Sequence, residues 1–305
     1  MDNAAAGLDI GRHRILHPGP LRWLRALGWM VAMVLLIGAA QWGLGRGLRL
    51  TAGMLGGDSP PFHLSGVFLM IAVCFGLYWL LVRLGEGREA QELAPGAALG
   101  GLAIGAGVGI GMFCVVMAAL VASGAYQLTG PHPAPVLADV NMALSSGFLE
   151  ELFLRAIIFR LVMRAFGVWP ALLFSAALFG AGHLANPNAT PMAAIAIAIE
   201  AGLSLAALYL ATGRVWAAIG FHVAWNFVQA YVFGARVSGI EMKGSLWTST
   251  VNAGSPEWLS GGAFGPEASA PAMVAGTLVA IAALVIARRR GNLRALRDPV
   301  RPDPG

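Results

Sequence analysis

Charged side chains are scarce in this sequence. Asp, Glu, Lys and Arg make up only 11% of its 305 residues, against about 25% in an average soluble domain. So little charge cannot cover the surface of a soluble globule, because 57% of the residues are hydrophobic. The composition therefore excludes an ordinary soluble protein and indicates that the lipid bilayer is the solvent of this chain.

Cysteine is almost absent as well. Cys74 and Cys114 each lie inside an apolar stretch, far apart in sequence, which indicates neither a disulfide framework nor a cysteine metal site. We interpret both as small packed hydrophobes. The net charge of +5 does not predict nucleic-acid binding, because Lys and Arg lie at the ends of apolar segments and not on one polar face.

Long apolar segments are what the sequence has in abundance. Stretches of about 18 to 25 apolar residues can cross a hydrocarbon core about 30 Å thick as helices. Helix is also the structure that satisfies the backbone polar groups of an open chain in lipid. The sequence therefore predicts an all-α polytopic membrane bundle of about eight transmembrane helices. The predicted segments are 24–45, 64–83, 98–125, 137–163, 168–186, 190–211, 214–235 and 271–288.

The distribution of Lys and Arg predicts the orientation of the bundle. With a cytoplasmic N-terminus, fifteen of these residues fall on the cytoplasmic side, and the positive-inside rule then places both termini in the cytoplasm. We predict an N-terminal tail at 1–23, the bundle at 24–288 and a basic C-terminal tail at 289–305. The Ala-, Gly- and Arg-rich composition suggests a bacterial inner membrane. The four residues on the opposite side are Arg46, Arg49, Arg236 and Lys243.

The third segment is rich in glycine. It does not fit the dinucleotide-binding pattern G-x-G-x-x-G and follows no predicted strand. We interpret the glycines as small residues that let transmembrane helices approach closely. They are Gly100, Gly101, Gly105, Gly107, Gly109 and Gly111.

Three charged residues lie in the middle of the fourth predicted helix, in Gly147-Phe-Leu-Glu-Glu-Leu-Phe-Leu-Arg155. Each costs about 2.5 to 3.5 kcal/mol to insert, so each needs a reason. Glu151 and Arg155 are four apart with Glu first, which favours an intrahelical ion pair. Glu150 points about 100° away around the helix and is free to face a polar cavity. The alternative is a purely structural clasp between helices.

Two histidines and an asparagine lie on later segments. His183 ends Phe179-Gly-Ala-Gly-His183, and His222-Val-Ala-Trp-Asn226 places His222 and Asn226 on one helix face. A rise of about 1.5 Å per residue puts these three side chains and Glu150 in one middle layer. A carboxylate, two imidazoles and an amide at matching depth are the groups needed to activate water and to stabilise an oxyanion.

The three motifs E-E-x-x-x-R, F-x-x-x-H and H-x-x-x-N together resemble the CAAX protease and bacteriocin-processing (CPBP) family of intramembrane proteases. All three stand without substitution between Glu150 and Asn226, and the stretches 220–227 and 261–267 look like a bacterial branch of that family. The resemblance implies a protease core at about 137–235. It also implies hydrolysis of a peptide bond in a membrane-associated protein or peptide.

The resemblance implies a role for each motif residue as well. Glu150 would be the general base that activates water, assisted by His183. His222 and Asn226 would hold the developing oxyanion. The supporting residues, which would hold the helix and tune Glu150, are Glu151 and Arg155.

Zinc is an alternative to a metal-independent mechanism. Glu150, His183 and His222 are the side chains that could ligate it. However, no H-E-x-x-H motif occurs, and Asn226 would be a poor zinc ligand. We therefore expect a mechanism based on glutamate and histidine, with no cofactor firmly implied.

Two other functions stay open. One is a non-catalytic membrane scaffold or immunity factor with the same fold. The other is a proton-coupled transporter, since intramembrane Glu and His also relay protons, although no duplicated half is evident. Glu200, in the sixth segment, matches none of the motifs. It is either a hydrogen-bonding group between helices or a secondary residue of the cavity. The expected partners are a membrane protein or peptide substrate and the lipid bilayer.

Overall fold

Helices dominate the architecture. The computed structural model describes residues 8–55, 59–132, 134–242 and 244–293, and the predicted all-α polytopic bundle is confirmed. The helices are α1 (Arg22–Leu55), α2 (Pro60–Leu81), α3 (Ala98–Ala122), α4 (Leu137–Glu151), α5 (Arg160–Phe166), α6 (Val168–Gly182), α7 (Pro191–Ile197), α8 (Leu203–Thr212), α9 (Trp216–Phe227), α10 (Glu257–Ser260) and α11 (Ala270–Arg289). The strands, β1 (Tyr126–Thr129) and β2 (Thr248–Val251), form one antiparallel pair outside the predicted spans.

Several helices are extended or joined by π-helical segments. Such segments widen the helical turn and occur frequently at functional sites. In the described residues, Val82–Glu86 extends α2, Leu152–Phe159 joins α4 to α5, Ala198–Gly202 joins α7 to α8, and Val228–Val232 extends α9. Three of the four therefore lie on the helices to which the sequence assigned buried polar residues.

Six helical stretches are long and apolar enough to cross a membrane by length and composition. The predicted segments 137–163 and 214–235 are helical too, but they are not among the six. The first carries several charged residues along its length, and the helix from Trp216 to Val232 is shorter than each of the six. The chain is an integral membrane protein, and the two helices that are not among the six pack against each other inside the bundle. The six stretches are Arg22–Met54, Pro60–Glu86, Pro95–Ala122, Val168–Ala185, Pro191–Thr212 and Ala270–Arg289.

The first helix is longer than predicted. The predicted segment ends at residue 45, whereas α1 continues to Leu55. No proline stands between Pro20 and Pro60, so no residue of α1 lacks its backbone donor. Lys243, residues 1–7 of the predicted N-terminal tail and residues 294–305 of the predicted C-terminal tail lie outside the described residues. The orientation of the termini stays a prediction.

The centre of the bundle is α9, which packs against α3, α4 and α8, while α11 covers α8. Glycines let α3 approach α9 at backbone distance. A Cβ on Gly105 would lie 2.0 Å from the carbonyl oxygen of Ala217, and one on Gly109 would lie 2.5 Å from that of Phe221. By contrast, a Cβ on Gly107 would meet nothing within 4 Å. The close-packing interpretation therefore holds for the glycines that face α9.

Buried ion pairs close one end of the bundle. Arg160 donates to both carboxylate oxygens of Glu86, over 2.9 and 2.7 Å. Arg88 pairs with Glu86 at 2.7 Å and with Glu92 at 2.8 Å. All four side chains are at most 5% exposed. The sequence analysis used these arginines only to predict the orientation of the bundle. In the structure, their ion pairs also connect the end of α2 to the start of α5.

Candidate active site

The buried ion pair of the fourth predicted helix lies where α4 meets the π segment. Glu151 and Arg155 are completely buried, and Nη1 of Arg155 donates to Oε1 of Glu151 over 3.1 Å. Nη2 donates to the carbonyl of Gly202 over 3.3 Å. The guanidinium also lies over the ring of Phe179, 4.7 Å from its centroid. A carboxylate, a carbonyl and an aromatic face thus partner this buried cation.

Glu151 also orients His222. Its Oε1 lies 3.0 Å from Nδ1 of His222. Because an ionised carboxylate only accepts, Nδ1 carries the hydrogen, and Nε2 is the nitrogen left for another partner. Gly147, one turn before Glu151, permits this approach of α4 to α9, since a Cβ there would lie 2.4 Å from Cγ2 of Val223. The second glutamate of the motif therefore holds an imidazole as well as an arginine.

Glu150 is half-buried beside this pair. Its charge acts on both Arg155 and His222. In the part of the chain that the structure describes, its carboxylate takes part in no hydrogen bond or ion pair. A carboxylate that is partly accessible and not engaged in a hydrogen bond is suited to accept a proton from water.

Phe179 touches three side chains of the site. Its ring centroid lies 4.9 Å from that of His183 and 5.8 Å from that of His222, and Arg155 lies over its face. The carbonyl of Phe179 accepts a hydrogen bond of 2.7 Å from Nδ1 of His183. The phenylalanine of F-x-x-x-H therefore fixes this imidazole through both ring and backbone, and Nε2 of His183 is left as the acceptor.

Asn226 is held by a serine on α4. Its Nδ2 donates to Oγ of Ser146 over 2.9 Å, and that hydroxyl donates to the carbonyl of Met142 over 3.0 Å. The amide carries two N–H donors, so one remains for another acceptor. Asn226 is only 7% exposed, which places that donor in a low-dielectric environment.

A small cavity lies beside α6 and α9. It offers about 20 Å³ to the centre of a water-sized sphere, which is room for about one water molecule. Oε2 of Glu200 and Oε1 of Glu267 are buried and accept no hydrogen bond from the described residues. The cavity is therefore polar enough to bind water. Its polar and ionisable walls are His183, Glu200, His222, Asn226, Ser238 and Glu267.

Five of the six predicted site residues belong to one connected cluster. His183, His222 and Asn226 share the cavity, and Glu151 with Arg155 is joined to it through His222. Glu150 lies next to this cluster in sequence but is not one of the cavity walls. Glu200, for which two interpretations were open, is a cavity wall. The roles assigned to these residues remain predictions.

The zinc alternative concerned Glu150, His183 and His222. Within the described ranges, no group of three or more His, Cys, Asp or Glu side chains is placed to hold a metal ion. Glu150, His183 and His222 are therefore not gathered as a ligand set. The Nδ1 atoms of both histidines contact Glu151 and a carbonyl, which leaves Nε2 of each ring for another partner.

Sequence reasoning missed two residues of the site. Ser146 matches no motif, and its contact with Asn226 depends on how α4 packs against α9. Glu267 stands in the quoted stretch 261–267, but no helical period links it to the histidines. The one available signal was its acidity, because a buried acid in a membrane chain needs a partner or a proton.

Comparison with protein-family models gives a match. Residues 132–228 match the family model described as type II CAAX prenyl endopeptidase Rce1-like. The match covers about a third of the chain and includes all three motifs. Comparison with curated proteins and with solved structures found no match.

The fold and the site define a polytopic membrane protein with a buried carboxylate, imidazole and amide cluster. The family match shows that residues 132–228 are similar to CAAX protease-like membrane proteins, a group of hydrolases. It supports the CPBP resemblance on the matched residues.

Proposed function

We propose that this chain is an intramembrane endopeptidase that cleaves a peptide bond of a membrane-associated protein or peptide with a Glu-activated water. The observation that carries the proposal is the contact of Glu151 with Nδ1 of His222. It turns the opposite nitrogen of His222 away from Glu151, and that imidazole shares its cavity with His183 and Asn226. Such a preorganised set of polar groups is what hydrolysis of an unactivated bond requires.

Glu150 is the general base of the proposed reaction. Its carboxylate takes one proton from a water molecule that Nε2 of His183 helps to orient. The water oxygen forms a bond to the carbonyl carbon, and the π electrons of the carbonyl move to its oxygen. The half-buried position of Glu150 supports this role, because substrate and water can reach it.

His222 and Asn226 stabilise the oxyanion. Asn226 offers the N–H that Ser146 does not use. His222 donates from Nε2 when it is an imidazolium, and the Glu151 carboxylate at 3.0 Å then pairs with its positive charge. Removal of one such donor typically costs about 100- to 1,000-fold in turnover. No step of this mechanism passes through a metal, so treatment with a strong chelator should leave cleavage unchanged.

The test compares membrane and secreted peptides of cells that express the wild type or Glu150→Gln at equal abundance. Glutamine keeps the shape of the side chain and removes the base. New peptide ends should appear with the wild type and disappear with the variant. The matched control is Glu241→Gln, which changes an 82% exposed carboxylate and should cleave like the wild type.

A purified preparation allows a direct assay with a defined probe. The family description names CAAX prenyl endopeptidases, so a farnesylated C-a-a-X peptide is the first probe, followed by any cleavage-site peptide from the cell comparison. Identical peptide profiles for wild type and Glu150→Gln would favour a scaffold or immunity factor. Proton flux in vesicles without cleavage would favour a transporter.

A further inference from the structure

Glu267 is held at the cavity by a short loop, residues 261–268, which we name the cap loop. The amide of Gly239 donates to the carbonyl of Phe264 over 2.8 Å, and Nη1 of Arg236 donates to the carbonyl of Ala263 over 3.0 Å. Gly265 has a φ of +128°, a conformation that side-chain-bearing residues rarely adopt. The backbone before Glu267 is therefore fixed by specific contacts.

The carboxyl of Glu267 is buried and faces the predicted catalytic groups. It is 2% exposed and shares the cavity with His183 and His222. Its charge interacts with His183, with Glu200 and with the hydroxyl of Tyr126. Ser238 and Gln229 lie close to it, but its Oε1 accepts no hydrogen bond of acceptable geometry.

The walls of the cavity contain neither Lys nor Arg. Burial raises the pKa of Glu267, and the nearby Ser238 and His183 offset this only in part. Burial in this cavity therefore favours the protonated form of the carboxyl. A buried acid of this kind, together with a more accessible carboxylate such as Glu150, is the pattern by which two acidic residues take opposite roles in hydrolysis.

We propose that Glu267 is the general acid of the site and protonates the leaving amine of the cleaved peptide. The inference rests on the proposed peptidase function. Glu267 is a better candidate than Glu200, because its charge acts directly on His183, whereas Glu200 is coupled to Glu267. Glu150 is then the general base of the reaction and Glu267 the general acid.

The step balances in protons and electrons. Glu150 takes one proton from the attacking water, whose oxygen bonds to the carbonyl carbon. When the tetrahedral intermediate collapses, the C–N bond breaks, its electron pair moves to nitrogen, and nitrogen takes the proton of Glu267. After the products leave, the proton on Glu150 returns through water to the Glu267 carboxylate. The net reaction consumes one water and one peptide bond.

The test compares two leaving groups. The first probe is the farnesylated C-a-a-X peptide or cleavage-site peptide that the wild type cleaves. The second is its thioester analogue, in which sulfur replaces the scissile nitrogen. A thiol has a pKa of about 8.5, so a thiolate leaves without prior protonation, whereas an amine does not. Loss of a general acid should therefore slow the amide far more than the thioester.

Glu267→Gln should lower turnover of the amide about 100-fold and that of the thioester by less than about fivefold. Glu267→Asp, which restores an acid, should recover part of the amide activity. Glu150→Gln should slow both probes, because the base is needed in each case. The control Glu257→Gln changes an exposed acid near the cap loop and should match the wild type on both.

Equal loss on both probes in Glu267→Gln would overturn the proposal, because it would indicate a structural role. Wild-type amide turnover in Glu267→Gln, or a leaving-group-dependent loss in Glu200→Gln instead, would also overturn it. Gel filtration in detergent checks that each variant is folded. If the wild type cleaves neither the farnesylated peptide nor any cleavage-site peptide from the cell comparison, the peptidase function itself is refuted, which is a different result from a failure of Glu267 alone.

Discussion

The close contact of α3 with α9 allows us to predict how one added methyl group changes stability and cleavage. Gly105→Ala adds one methyl group where the Cβ would lie 2.0 Å from the carbonyl oxygen of Ala217 and 2.8 Å from the backbone nitrogen of Phe221. Both neighbours are backbone atoms of α9, so no side chain can rotate away. The helix itself must shift, and it carries His222 and Asn226.

The size of the shift follows from the distance. Ordinary van der Waals contact begins near 3.4 Å, so α9 must move by about 1 Å or more to accommodate the methyl group. Overpacking of this kind costs about 1 to 3 kcal/mol. A displacement of about 1 Å at a catalytic group can cost about 100-fold in rate. We therefore expect a melting temperature lowered by several degrees and a much larger loss of cleavage.

Thermal unfolding in detergent and the cleavage assay measure the two effects separately. The matched control is Gly107→Ala on the same helix, where a Cβ meets nothing within 4 Å. That substitution should leave both quantities unchanged or raise stability slightly, because Ala favours helix over Gly by about 1 kcal/mol. Equal behaviour of the two variants would refute the inferred backbone contact between α3 and α9.

Two further predictions concern single polar contacts. Ser146→Ala removes the hydroxyl that accepts a hydrogen bond from Nδ2 of Asn226 over 2.9 Å. Cleavage should fall about two- to tenfold. The control Ser145→Ala should leave cleavage unchanged, because the Ser145 hydroxyl binds only a carbonyl of its own helix. Burial opposes the charge of Glu92, but hydrogen bonds from Arg88 hold the pKa of this carboxyl below its usual value. The ionised Glu92 therefore stabilises the fold above about pH 4.3. This stabilisation is lost as the pH falls through the lowered pKa. Melting curves between pH 7 and pH 3 should therefore show a smaller acid-induced loss in Glu92→Gln than in the wild type, and parallel curves would contradict this.

The sequence predicted the bundle because hydrophobic length is a property of each segment by itself. The same holds for the Glu151–Arg155 pair, since both residues lie on one helix and spacing alone brings them together. The Glu151–His222 contact is different. It requires that α4 and α9 be neighbours at a known rotation, which depends on Gly147 facing Val223 and not on any period of either segment.

The position of Glu267 was even less predictable from the sequence. It lies in a loop without a helical period, so the sequence offered no way to assign it a depth or a face. Its position depends on the backbone hydrogen bonds of the cap loop. The predicted roles of Glu150, His183, His222 and Asn226 came from the resemblance and not from the spacing of these residues.

The π segments explain how the bundle holds a fully buried arginine. Arg155 lies in the π segment Leu152–Phe159 and donates to the carbonyl of Gly202, which belongs to the π segment Ala198–Gly202. A widened turn disturbs the regular i to i−4 pattern and frees carbonyl groups for other donors. One irregular helix thus supplies the cation and another supplies an acceptor for it. Because the cation is then fixed between this carbonyl, Glu151 and the ring of Phe179, it can hold the Glu151 carboxylate in place for His222.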